Sequence, residues 1–186
     1  MKNLKKIIAF GLATTVAVLA MSMTALADYD DMTSYVSLPT LSEVDTSKAS
    51  PETPVTYIDE KTGAIVTIYD PSITVECPSV SPNVSSVVAE GYIYVPYASN
   101  KRFGSAPDSF EALYDGQVSF TLLTFHYDKY NFSLNKEGVT ASPLAVVKNY
   151  PIATPATLTG LKEGVRYEFR VSSYIGDGNS TYIATM

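Results

Sequence analysis

From Val55 onward the chain is a succession of short runs of β-branched and aromatic residues, each soon interrupted by Gly, Pro, Asp or Asn. A helix of useful length needs apolar residues recurring every three to four positions over several turns. No stretch supports a long amphipathic helix of that kind, and no internal repeat is visible. Short alternating runs with frequent turn signals point to an all-β sandwich or barrel.

Residues 55–59 and 64–69 are two such runs, joined by Glu60-Lys61-Thr62-Gly63. Gly63 can take the left-handed conformation that closes a turn with a bulge, so 55–70 reads as a β-hairpin. Asp70-Pro71 ends it, and 72–77 is a further short strand stopped by Pro78. Further strands are expected over 87–97, 117–127, 130–134, 144–148, 157–161, 166–174 and 180–184. The loops expected between them include 98–107 and 135–142. Residues 108–114 read as one short helical turn, with Asp108 as its cap and Glu111 three residues on.

The amino terminus has a different character. Lys2, Lys5 and Lys6 precede an uncharged, mostly apolar stretch over 7–23, and Ala25-Leu26-Ala27 supplies small residues at the spacing a signal peptidase needs. Residues 1–27 therefore read as a cleaved signal peptide and the product as secreted and extracellular, without membrane insertion. The Lys-rich leader and cysteine-poor remainder suggest a bacterial source. On that reading the sequons at Asn83, Asn131 and Asn179 stay unglycosylated. Residues 28–54 are rich in Ser, Thr, Pro and acids and read as a disordered spacer, because they bury too little to offset ordering entropy. The acidic cluster of Asp28, Asp30 and Asp31 reads as part of that solvated tail. The remaining chain divides into 55–77, hairpin and short extension, and 78–186, the sandwich.

Charge narrows the partners. The whole chain carries 13 basic and 19 acidic residues, net −6, and three of the basic residues lie in the leader. Without it the balance is 10 against 19, or −9. Nucleic acid and anionic lipid are excluded as expected partners, since both need a basic face. The single cysteine, Cys77, cannot form an intramolecular disulfide and reads as a small buried apolar residue.

The last 30 residues carry a resemblance. Thr157-Leu-Thr-Gly-Leu161-Lys-Glu-Gly164-Val-Arg-Tyr167-Glu-Phe169-Arg-Val171 is similar to the segment joining the fifth and sixth strands of fibronectin type III domains. Tyr167, Phe169 and Val171 share one strand face. The resemblance implies a fibronectin type III/immunoglobulin-like antiparallel β-sandwich with the 55–70 hairpin added. It also implies a tyrosine corner at Leu161, Gly164 and Tyr167, and a glycine-rich loop between the last two strands over 174–180. The inward Trp of that family is missing, since the chain has none, and Tyr94 is the expected replacement, with Phe120 the other candidate.

No residue frame announces catalysis. The only histidine, His126, sits late in an apolar run, and no acid pair occupies a recognisable glycosidase frame. The chain is not expected to be an enzyme, nor to hold a metal or cofactor. Asp177 and Asn179 flank Gly178, but turn chemistry accounts for them without an ion. The informative surplus is 14 tyrosines, which give rigid amphipathic contact area. The expected function is a non-catalytic binding or adhesion module for a cell surface, a matrix or an extracellular polysaccharide, with Tyr174, Asp177, Asn179 and Tyr182 as candidate contacts. The alternative is a structural protein that assembles through exposed strand edges; a small secreted hydrolase ranks third.

Overall fold

The computed structural model describes residues 38–78, 86–98, 104–105, 109–113 and 116–186. The leader, the Asp28–Asp31 cluster, the Asn83 sequon and most of the 98–107 loop lie outside the described residues. The described chain is all-β: β1 (Val55–Ile58), β2 (Ile65–Ile68), β3 (Thr74–Glu76), β4 (Val87–Val95), β5 (Gly104–Ser105), β6 (Phe110–Glu111), β7 (Gly116–Thr124), β8 (Lys129–Lys136), β9 (Ala145–Pro151), β10 (Ala156–Leu161), β11 (Arg166–Ser172) and β12 (Gly178–Thr185).

These strands form two antiparallel sheets packed as a sandwich. One runs β1-β2-β9-β8-β11-β5, with β6 also on β11, and the other runs β3-β10-β7-β12-β4. Period-2 alternation turns one face of each strand inward. Phe120 of β7 lies at the centre, its ring 4.2 Å from Phe169, 5.4 Å from Phe132 and 6.1 Å from Tyr182. All four rings are buried, and aromatic pairs of this kind contribute about 0.5–1.5 kcal/mol beyond their area. Phe120, not Tyr94, takes the central aromatic place. Ile93 and Val95 are the inward residues of β4, so the period of two turns Tyr94 outward.

A second correction concerns 108–114. Within the described part, Phe110–Glu111 is strand and pairs with Arg166 and Tyr167. The Ala112 N–H donates to the Val165 carbonyl at 3.0 Å, and the Gly164 N–H donates to the Ala112 carbonyl at 2.9 Å. Phe110 is buried with its ring 5.6 Å from Phe169. Tertiary pairing thus overrides the local capping signal. The expected long strand over 117–127 also stops early, at Thr124, where the chain bends toward the other sheet.

Residues 38–54 carry two 3-10 turns, Leu41–Glu43 and Thr46–Lys48. The Ile58 N–H donates to the Pro39 carbonyl at 2.9 Å, and Ala49 is buried against the core. Those contacts give this part of the acidic stretch an ordering force that composition did not reveal.

Two tyrosines fix the turns between sheets. The Tyr167 ring is buried, and its hydroxyl accepts from the Lys162 N–H at 2.9 Å, the geometry of a tyrosine corner. Leu161 is buried beside it, and Gly164 takes a φ of 74° in the turn. Tyr150 does the equivalent one connection earlier, its hydroxyl donating to the Pro155 carbonyl at 2.8 Å. Gly160 permits a close approach: a Cβ there would lie 1.8 Å from the Ser72 carbonyl oxygen.

The last connection differs from a hairpin. β11 belongs to the larger sheet and β12 to the smaller, between β7 and β4. Residues 173–177 therefore cross between sheets. Pairing with 96–98 pins the crossing: the Ala98 N–H donates to the Ser173 carbonyl at 2.7 Å, and the Ser173 N–H donates to the Pro96 carbonyl at 3.0 Å.

Candidate functional site

The crossing and the outer face of β4 and β12 bring several expected contact residues together. In β4, Tyr92 and Tyr94 lie on the outward face, 81 % and 53 % exposed. On β12, Asn179 is the cross-strand partner of Tyr94, and Thr181 is the partner of Tyr92. The Tyr94 hydroxyl donates to the Asp177 carboxylate, which holds that phenol above its ordinary pKa. Thr181 continues the polar row to β7: its hydroxyl lies 2.8 Å from the Thr124 hydroxyl, and its N–H donates to Thr124 Oγ1 at 3.1 Å. Two exposed rings and four polar side chains thus share one shallow platform.

Asp177 and Asn179 join this platform, and both are exposed. Tyr182 does not. It lies on the inward face of β12 at 1 % exposure, against Phe120, because Ser180, Tyr182 and Ala184 form the inward set of that strand. Tyr182 is corrected from ligand contact to core residue. Tyr174 is half-buried at the start of the crossing. The residues that sequence reasoning missed as contacts are Tyr92 and Tyr94. The signal was present: Ala89, Ile93 and Val95 make the aliphatic set of β4, so the tyrosines between them belong outside.

The glycines near the platform serve close approach. Neither Gly176 nor Gly178 is among the positive-φ residues, so neither serves a left-handed turn. A Cβ on Gly176 would lie 2.1 Å from the Tyr127 hydroxyl oxygen, and one on Gly178 would lie 2.4 Å from His126 Cε1. The 125–128 bend, with its Phe125, His126 and Tyr127 rings in mutual contact, therefore packs directly under the crossing. His126 is exposed there at the end of β7.

The platform has a consistent electrostatic setting. Strands β3, β4, β7, β10 and β12 contain no Lys or Arg, and their acids are Glu76 and Glu90. The other sheet holds Lys129, Lys136, Lys148, Arg166 and Arg170. The smaller sheet instead offers hydroxyls on its outer side, including Thr74, Thr159, Thr121, Thr124, Thr181 and Thr185.

Away from the platform, a concavity of about 480 Å³ lies where Ala49–Pro51 pack near Tyr69–Pro71, Lys136, Val139 and Ser142–Leu144. It takes in part of the expected 135–142 loop. Cys77 is buried, and burial first, then Asp59, pushes its thiol up to about 12. Among the described residues, no group of three or more His, Cys, Asp and Glu side chains converges on a metal position. Comparison of the chain with protein-family models, with curated proteins and with solved structures gave no match.

Proposed function

We propose that this chain is a secreted, extracellular, non-catalytic binding module that engages a cell surface, a matrix or an extracellular polysaccharide. The observation that carries the reading is the Tyr92–Tyr94 pair, outward-facing on a rigid strand beside the polar side chains of Asp177, Asn179 and Thr181. Two-torsion tyrosines lose little entropy when they make contact, and a sheet holds them in register. Secretion rests on the leader pattern at 1–27.

We further propose that the sandwich is a variant of the fibronectin type III/immunoglobulin-like class with an added 55–70 hairpin. The tyrosine corner at Tyr167 and the division of β7 and β10 into one sheet and β8, β9 and β11 into the other support this. The place of β12 departs from the class, whose final two strands share a sheet.

Co-sedimentation with insoluble polysaccharides, cell walls and whole cells tests the binding reading, with an unrelated Tyr-rich sandwich as control. Saturable retention on one surface is expected, and retention equal to the control contradicts it. One feature favours the assembly alternative: among the described residues β4 is a nine-residue terminal strand of its sheet, with no Pro or Lys to discourage pairing. That alternative predicts a scattering mass that rises with concentration. A constant monomer mass removes it.

A further inference from the structure

Resting on the binding reading, we infer that the ligand is a neutral, hydroxyl-rich polysaccharide chain that lies along β4 and stacks on Tyr92 and Tyr94. Side chains two apart on one strand face are about 6.8 Å apart along the strand. One extended chain can therefore cover both rings. The Asp177 carboxylate fixes the Tyr94 hydroxyl and so holds its ring for stacking, which makes Asp177 a positioning residue. Asn179 and Thr181 stand directly across from the two tyrosines and supply donors and acceptors for sugar hydroxyls.

Charge selects the class of polymer. The strands that build this face carry no basic side chain; Glu90 lies two residues before Tyr92 on β4, and Asp177, just before β12, meets the Tyr94 hydroxyl. Among the described residues, an anionic polysaccharide meets two carboxylates on this face, and its strands supply no compensating cation. A neutral chain meets only groups that accept or donate hydrogen bonds to hydroxyls. The hydroxyl row continuing through Thr181, Thr124 and Thr121 extends the same chemistry across the sheet.

Affinity electrophoresis through gels containing either a neutral β-glucan or an anionic polyuronate tests this assignment. The wild-type chain is run beside Tyr92→Ala, Tyr94→Ala and Asp177→Asn. All three positions are exposed, and an unchanged thermal midpoint certifies folding. Retardation by the neutral gel alone is expected. Each tyrosine variant should lose roughly tenfold or more in affinity. Asp177→Asn, which keeps a hydrogen-bond acceptor, should retain more affinity than Tyr94→Ala. Neutral-gel retardation that survives both tyrosine substitutions overturns the assignment and leaves the binding reading standing. Stronger retardation by the polyuronate overturns the charge argument and with it the assignment. No retardation in either gel overturns the assignment, and if co-sedimentation also fails, the binding reading falls with it. Retardation that tracks a concentration-dependent mass assigns the surface to a second copy of the chain and also overturns the inference.

Discussion

Individual side chains give the sharpest tests of how this chain is held. A Cβ at Gly160 would collide with the Ser72 backbone, whereas at Gly164 it would meet open space. Gly160→Ala should cost more than about 3 kcal/mol, and Gly164→Ala about 1 kcal/mol, the strain of a positive φ alone. Urea unfolding measures both, and equal costs would contradict the close approach. Tyr167→Phe keeps the ring and orphans the Lys162 N–H, so it should cost about 1–2 kcal/mol by the same measurement. Cys77 sets a pH dependence. Its ordinary value is 9.0 and its folded value is about 12, so the folded state holds the proton more tightly. Its contribution to stability is full below pH 9 and is lost as pH rises toward 12. Between pH 9 and 10 Cys77 should lower stability by up to about 1.4 kcal/mol per unit, and the buried Tyr57, Tyr130 and Tyr150, also held protonated by burial, add to the fall as pH approaches 10. Cys77→Ala should make that slope shallower, and an equal slope in the variant would contradict burial of the thiol.

At the scale of elements, the question is which face of each strand points inward. Phe120→Ala should cost about 3–5 kcal/mol, because the cavity falls where three other rings meet. Tyr94→Ala should stay within about 0.5 kcal/mol. A reversal would put Tyr94 back in the core. Strand positions were legible in the sequence because β-branched alternation and Gly or Pro punctuation are local signals. β11 could be read almost residue for residue from Tyr167, Phe169 and Val171. The face of β4 was legible too, once Ile93 and Val95 are taken as the inward set. The role of 110–111 was not legible. It depends on Arg166 and Tyr167, more than fifty residues away, and a capping pattern carries no such information. Tyr182 was misplaced for a related reason: position beside a loop suggests exposure, but the parity of β12 decides it. The crossing of β12 into the smaller sheet was equally hidden, since a glycine-rich connection suits a hairpin and a crossing alike. Gly176 and Gly178 were legible as glycines with a purpose, although that purpose is contact with Tyr127 and His126.

Over the whole molecule, the two sheets divide the labour of charge. The larger sheet carries the strand lysines and arginines, including the Arg166–Glu137 ion pair at 2.8 Å and the Arg170–Glu168 pair. The smaller sheet is free of basic residues and exposes threonines and two tyrosines. Net charge could be read from composition, but its segregation could not, because sheet membership follows from pairing between distant strands. The segregation is what ties the proposed function to one face. Amide chemical-shift mapping during titration with soluble neutral oligosaccharides tests that tie most directly. The largest changes should cluster at Glu90–Tyr94 and Asp177–Thr181, with the β8, β9 and β11 amides unmoved. Changes centred on the larger sheet, or on the concavity beside Tyr69 and Lys136, would contradict the assignment of the binding face.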